Sequence, residues 1–316
     1  MSKQTTGIHH ITAIAKDPQQ NIDFYAGVLG LRLVKKTVNF DAPEVYHFYF
    51  GNEAGHPGTI MTFFPWPDAV PGRIGGGQVG YTTFVVPHGS LGFWDARLEK
   101  FSIAIERIER FGEQYLRFKD AAGLQLELVE REEGARSGWA FGGVPVEHAI
   151  KGFGGGILFS TAPKKTEAVL EQVLGLQRME ENEEYIRFRG TAELGSIVDL
   201  KREAVPRGNM GAGTVHHIAW RAKDDQDQAE WSQWVRSQGQ APTPVQDRNY
   251  FNAIYFREAG SILFEIATDP PGFAVDEPYE QLGEALKLPA QYEKYRAQIE
   301  DIVQPVAVRV LEEDQS

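Results

Sequence analysis

The sequence predicts an α+β protein of four βαβββ modules, arranged as two tandem domains with a C-terminal helical tail. Three observations carry that expectation. Val28-Leu29-Gly30-Leu31 recurs as Val173-Leu174-Gly175-Leu176, an offset of 145 residues, and each copy closes a helix-like segment that follows a short strand. The dipeptide His-His opens two strand-like runs, residues 8–13 and 215–220. The length, 316 residues, suits roughly two domains of about 150 residues.

The first module, residues 7–65, opens with a strand carrying His10 and continues into a helix over 17–28. Asp17 caps that helix, Pro18 fits its first turn, and Ile22, Tyr25 and Leu29 recur at helical spacing before Gly30 stops it. Strands over 32–40, 46–50 and 58–64 follow. The second module, 78–130, has a strand over 81–86, a helix over 93–99 and a last strand over 124–129. The third, 152–201, carries a helix over 166–174 in which Val169, Leu170 and Val173 precede Gly175. The fourth starts at Gly213, with a helix over 228–238 and strands over 250–256 and 261–267. These modules give an N-terminal domain over 7–131, a Gly-, Glu- and Arg-containing linker over 132–150, a C-terminal domain over 151–270 and a tail over 271–316. In the tail, Tyr292, Tyr295, Ile299 and Ile302 recur helically across 289–302 and are expected to dock on the body.

A net charge of −12 without any basic run argues against a nucleic-acid partner, because phosphates demand a positive patch. No apolar run approaches the ~20 residues that span a bilayer, and the N-terminal residues lack the apolar core of a signal peptide. A cytoplasmic location without membrane contact is the expectation. The absence of cysteine excludes disulfides, thiolate metal sites and thiol nucleophiles, so any metal must sit on His, Asp or Glu. Four of the eight histidines lie in the two His-His pairs, and Glu265 is an acid with apolar neighbours on both sides. Two histidines and one carboxylate form the facial triad that holds non-haem ferrous iron and leaves positions open for oxygen and substrate.

Asp23-Phe24-Tyr25 through Val28-Leu29-Gly30-Leu31, following a His-bearing strand in a fourfold modular chain, resembles the vicinal oxygen chelate superfamily of glyoxalases, extradiol dioxygenases and bleomycin-resistance proteins. Tyr46-His47-Phe48-Tyr49-Phe50-Gly51, Pro57-Gly58-Thr59, Phe63-Phe64-Pro65, Asp247-Arg248-Asn249-Tyr250-Phe251 and Asp269-Pro270-Pro271-Gly272-Phe273 are similar, more narrowly, to hydroquinone ring-cleaving dioxygenases. The resemblance covers nearly the whole chain. It implies glyoxalase-like domains in which paired modules curve around a cleft, with metal ligands on first and last strands. His10, His217 and Glu265 are the ligands it implies, for Fe(II), with Mn, Zn or Ni able to occupy the same set. Arg248 and Tyr255 match its active-site pattern, where a guanidinium would stabilise a phenolate and a tyrosine hydroxyl would donate to a developing oxyanion. The bland alternative for Tyr255 is a strand aromatic with its hydroxyl in water. The implied partners are an aromatic hydroquinone-type substrate and O2, and a homo-oligomer is compatible with the sequence.

Strand alternation places Ile8, His10 and Thr12 on one face and His9, Ile11 and Ala13 on the other. His9 and His216 therefore fall behind the ligands, either as groups that orient them or as an acid or base, and both roles stay open. The repeat offset carries His10 onto Gly155, the second module opens with Tyr81-Thr82-Thr83, and aligning Gly58 with Gly260 sets Phe63 at the place of Glu265. One three-ligand site is expected. A glyoxalase-type lyase or isomerase would want a fourth ligand, and it remains the alternative together with a thiol transferase of the same superfamily; a metal-free binding protein has no use for the triad. Glu127, between Leu126 and Leu128, reads as an exposed polar-face residue. His47 and His148 read as hydrogen-bonded core histidines, and the aromatic segments 46–50 and 63–66 as core more than pocket. Gly75-Gly76-Gly77-Gln78-Val79-Gly80 fits a dinucleotide fingerprint, but it precedes a strand and is expected to be a flexible loop at the cleft edge.

Overall fold

A computed structural model describes residues 3–315. Met1 and Ser2, which begin the N-terminal stretch read above for a targeting signal, and Ser316, the last residue of the tail, lie outside the described residues.

The four modules form as follows. The first is β1 (Ile8–Ala15), α1 (Pro18–Ile22), β2 (Arg32–Asn39), β3 (Ala42–Gly51) and β4 (Ile60–Pro65). The second is β5 (Gln78–Val86), α2 (Leu91–Lys100), β6 (Glu106–Arg110), β7 (Glu113–Lys119) and β8 (Gln125–Glu130). The third is β9 (Gly152–Phe159), α3 (Pro163–Ala168), β10 (Gln177–Glu181), β11 (Tyr185–Arg189) and β12 (Ile197–Lys201). The fourth is β13 (Thr214–Ala222), α4 (Asp225–Ser237), β14 (Gln246–Asp247), β15 (Phe251–Arg257) and β16 (Leu263–Pro271).

The helix expected over 17–28 is α only to Ile22 and then widens into a π-helical turn, Asp23–Val28; the third module repeats this with Val169–Val173. The N-terminal signal works as read, with Asp17 accepting the Gln20 N–H at 2.8 Å. Gly30 and Gly175 end the two segments at φ of +68° and +70°, a conformation that favours glycine. In the tail the helix is shorter than expected: among its described residues only Arg296–Ile302 (α5) is α-helical, after a 3-10 turn at Glu293–Tyr295. Ile299 is buried, but Tyr295 and Ile302 are exposed. The tail is nevertheless held to the body, by Tyr292 donating to the Phe40 carbonyl at 2.7 Å and by Arg97 on the Asp314 carboxylate at 2.8 Å.

Among the described residues sixteen strands make two curled sheets of eight. One runs β14-β15-β16-β13-β1-β4-β3-β2, joining the first module to the fourth; the other runs β10-β11-β12-β9-β5-β8-β7-β6, joining the second to the third. Each sheet thus takes one module from each half of the chain. Ile8, Ile11 and Ala13 of β1 are buried with Tyr25 and Leu29 in the main core, while Val34, Tyr49, Ala219, Phe251 and Ala253 form a smaller cluster. The glycine-rich segment is pinned, not loose: Arg73 bridges Asn209, Gly76 bridges Arg207, and Gln78 already belongs to β5. Among the described residues no helix is long and apolar enough to cross a membrane.

Candidate metal centre

Antiparallel β1 and β13 form the central seam of the first sheet, pairing His10 with Ala219 and Thr12 with His217. Parallel β16 lies on the far side of β13 and sets Glu265 beside Ala219. His10 Nε2 and His217 Nε2 are 3.3 Å apart and lie 3.3 and 2.9 Å from Glu265 Oε2. All three residues are buried, Glu265 completely. These three are a group that could hold a metal ion among the described residues.

The donor set fits a cation. Among the described residues neither carboxylate oxygen of Glu265 receives a well-aligned hydrogen bond, and a buried carboxylate without full compensation carries a penalty of several kcal/mol. Burial raises the Glu265 carboxyl, but His10 and His217 beside it lower it further and hold it below the usual carboxylate range. Burial also pushes His217 towards its neutral form, against the pull of Glu265. Two imidazole nitrogens and a carboxylate oxygen therefore converge on one point, the donor set that suits a divalent ion.

Alternation does not describe the His-His pairs. His9 is an extra residue between the pairs Ile8/Trp220 and His10/Ala219, and His216 is an extra residue between Thr12/His217 and Ala13/Val215. Each is a β-bulge, which re-aims its side chain. The His9 and His10 rings come together with Nδ1 atoms 2.9 Å apart, and those of His216 and His217 with Nδ1 atoms 2.8 Å apart. With Nε2 facing an ion, His10 and His217 would each carry the proton on Nδ1 and donate it to the neighbouring ring. Burial and the adjacent ring hold His9 well below the ordinary histidine range and His216 at about 3, so both can accept. His9 is buried behind His10; His216 also faces the cavity.

That cavity has a volume of about 380 Å³ and is lined by His10, His217, Arg248, Tyr255, Phe251 and Trp66 among others. A larger one of about 640 Å³, against Tyr81, Phe101 and Arg117, contains no triad residue. Tyr255 pairs with Glu265 across β15 and β16, and its ring centroid is 5.7 Å from that of His217. Burial, then the charge of Glu265, raises its phenol above the ordinary tyrosine range. Arg248 Nε donates to the Tyr255 hydroxyl at 3.3 Å, and the same guanidinium reaches Gln246 Oε1 at 2.5 Å and Asp41 at 3.3 Å.

Four expectations are corrected. The register puts Thr62, not Phe63, in the place of Glu265, because Thr12 pairs with Thr62 as Ala219 pairs with Glu265; the loop after Gly58 is not the same length as that after Gly260. His47 lines the cavity instead of the core, with Nε2 2.9 Å from Thr62 Oγ1 and Nδ1 3.0 Å from the Tyr49 hydroxyl. On the aromatic strands alternation sorts the residues: His47, Tyr49, Phe64 and Trp66 face the cavity while Tyr46, Phe48, Phe50 and Phe63 face the core. Glu127 is fully buried, accepting from Arg110, Arg117 and Thr83. His148 stays remote, stacked on Phe93 with Nδ1 3.0 Å from Ser90 Oγ. Asp41, Asn39 and Met210 at the cavity wall carry no sequence signal of their own.

Residues 7–128 match the glyoxalase/bleomycin resistance protein/dioxygenase superfamily. MhqO of Bacillus subtilis, whose name carries the provisional description ring-cleaving dioxygenase, is 60% identical over 312 residues, 99% of this chain and 100% of that protein. The chain belongs to this superfamily. A chlorohydroquinone/hydroquinone 1,2-dioxygenase of Sphingobium indicum is 33% identical over 303 residues, 93% of this chain and 94% of that protein. A crystal structure from Bacillus subtilis, provisionally titled a dioxygenase, superposes with a TM-score of 0.97 at 60% identity, covering 98% of this chain and 100% of that one. Glyoxalase I of Zea mays shares the fold, with a TM-score of 0.62 at 12% identity over 83% of this chain and 92% of its own.

Proposed function

We propose that the protein is a non-haem Fe(II)-dependent dioxygenase that opens the ring of hydroquinone-type aromatic substrates with O2. The observation that carries this reading is the fully buried carboxylate of Glu265 converging with two imidazole nitrogens beside an aromatic-lined cavity. The names of its relatives point the same way. His10, His217 and Glu265 would hold the ion, and manganese, zinc or nickel can occupy the same ligands. Bound there, ferrous iron would bring the ring oxygen and O2 together and pass electron density between them.

The chain's own groups prepare the substrate. Phe251, Phe64 and Trp66 give the ring an apolar slot and exclude water. Arg248 adds a positive charge beside the triad that favours a substrate phenolate, and Gln246 and Asp41 fix its orientation. Tyr255, kept protonated by burial, can donate to an oxygen on which negative charge develops. His216 faces the cavity with a neutral ring and can take or return a proton. An isomerase of the glyoxalase kind would want a second carboxylate where this chain has Thr62.

Iron-loaded protein should consume about one O2 per hydroquinone opened, with both atoms of labelled O2 entering the product. Anaerobic conversion of the methylglyoxal–glutathione adduct, without oxygen uptake on any hydroquinone or catechol, would replace this reading by the isomerase.

A further inference from the structure

The first sheet has an internal near-twofold relation that passes through the β1–β13 seam. His10 answers to His217, Thr62 to Glu265, and, since Tyr49 pairs with Thr62 as Tyr255 pairs with Glu265, Tyr49 answers to Tyr255. The cavity therefore has a tyrosine from each half of the chain. Each hydroxyl is held by a different basic side chain: Tyr255 by Arg248 Nε at 3.3 Å, Tyr49 by His47 Nδ1 at 3.0 Å. The triad sits off the twofold line, on the side of Glu265, so the His47–Tyr49 pair marks the side that carries no carboxylate.

Behind Tyr49 runs a chain of neutral groups. Thr12 Oγ1 is 2.8 Å from Thr62 Oγ1, Thr62 Oγ1 is 2.9 Å from His47 Nε2, and His47 Nδ1 meets Tyr49. Hydroxyls and a neutral imidazole can reverse direction together. In one sense Thr12 donates to Thr62, Thr62 to His47 and His47 to Tyr49, which frees the Tyr49 O–H to donate into the cavity. In the other sense Tyr49 donates to His47 and its oxygen accepts from the cavity. Burial keeps His47 uncharged and Tyr49 protonated, so the chain holds no net charge in either sense. Such a pair suits a neutral hydroxyl, whereas the Arg248–Tyr255 pair suits an anionic oxygen.

We propose that the His47–Tyr49 pair is a second polar anchor of the cavity, binding the substrate hydroxyl that the triad does not hold and thereby selecting dihydroxy over monohydroxy rings. The inference rests on the dioxygenase reading above for the class of ring. Arg248 and Tyr255 then serve the oxygen at the triad, and Tyr49 serves the remote one.

Anaerobic titration of iron-loaded protein with hydroquinone and with phenol, followed by tryptophan fluorescence to which Trp66 at the cavity wall contributes, tests it. Wild type should bind hydroquinone about tenfold more tightly than phenol, the worth of one hydrogen bond. Tyr49→Phe, which removes a single oxygen, should lower hydroquinone affinity about tenfold to that of phenol and leave phenol binding unchanged, and His47→Leu should act in the same direction. Iron content measured on the same samples should not change. A Tyr49→Phe protein that weakens both rings equally, keeps the hydroquinone preference, or loses iron would overturn the inference while leaving the dioxygenase reading intact. Failure of wild type to bind either ring would overturn both.

Discussion

Glu127 stands on β8 where Glu265 stands on β16: Thr83 faces Glu127 two residues after Tyr81, as Ala219 faces Glu265 two residues after His217. The second sheet repeats the bulges as well, with Gly80 and Gly154 in the positions of His9 and His216. Its histidines are absent, and Gly155, where a Cβ would lie 2.3 Å from the Ile197 carbonyl oxygen, leaves no room for one. The Arg110 guanidinium supplies the positive charge, with both Nη atoms on Glu127 at 3.0 and 2.8 Å and Nε on Asp199 at 2.7 Å. The two sheets thus present similar buried carboxylates, one neutralised from within the chain and the other open to an ion.

Arg110→Leu should accordingly destabilise the fold by about 3–5 kcal/mol, because it strands buried charges. Iron content and oxygen uptake of the folded fraction should stay at wild-type levels. Urea unfolding with metal analysis checks both.

The same network makes stability depend on acid. Burial raises the Glu113 carboxyl, but hydrogen bonding and charge from Arg131, with Arg187, lower it further, from an ordinary 4.5 to about 2. A folded value below the unfolded one means that its contribution is complete above about pH 4.5 and disappears as pH falls towards about 2. Wild type should lose unfolding free energy across that window relative to Glu113→Gln; parallel curves for the two proteins would show that Glu113 is not the group responsible.

Glu265→Gln should cost stability without metal and cost more with it. In metal-free protein it removes a buried carboxylate whose charged form His10 and His217 favour, and should lower stability at neutral pH. In the presence of ferrous iron the difference should widen, since only wild type gains binding energy from the ion. Thermal melts of both proteins with chelator and with iron decide the matter, and an Ala at His10 or His217 should likewise abolish bound metal.

Removal of donors near the triad should separate binding from turnover. Arg248→Leu and Tyr255→Phe should keep one iron per chain and slow oxygen uptake on the order of tenfold to a thousandfold. Unchanged turnover in both would assign these residues to the strand alone.

His9 and His216 should differ despite their matching bulges. Loss of the Nδ1 acceptor in either Ala variant should weaken metal affinity about 10–100-fold. At saturating iron, His9→Ala should recover turnover, because that ring is shut off from the cavity, and His216→Ala should not. Chelator competition and saturated rates read the two effects separately.

Much of the architecture is local and so was written in the sequence. The Asp17 cap, the twin Val-Leu-Gly-Leu stops and the strand alternation that buries Ile11 and Ala13 each depend on a few neighbouring residues. The His-His pairs and the lone acid among apolar residues were legible for the same reason, since a buried carboxylate without a nearby cation is too costly to be accidental. Register and partnership between distant strands were not. Only pairing across the sheet decides that the first module joins the fourth, that Thr62 and not Phe63 matches Glu265, and that bulges bring His9 and His216 onto their neighbours. A one-residue slip reverses every side chain, and no local pattern reports a bulge or a loop of different length. The fate of Glu127 shows the same limit: alternating leucines mark two faces of a strand, but whether the polar face meets water or Arg110 is settled by the strands that fold over it.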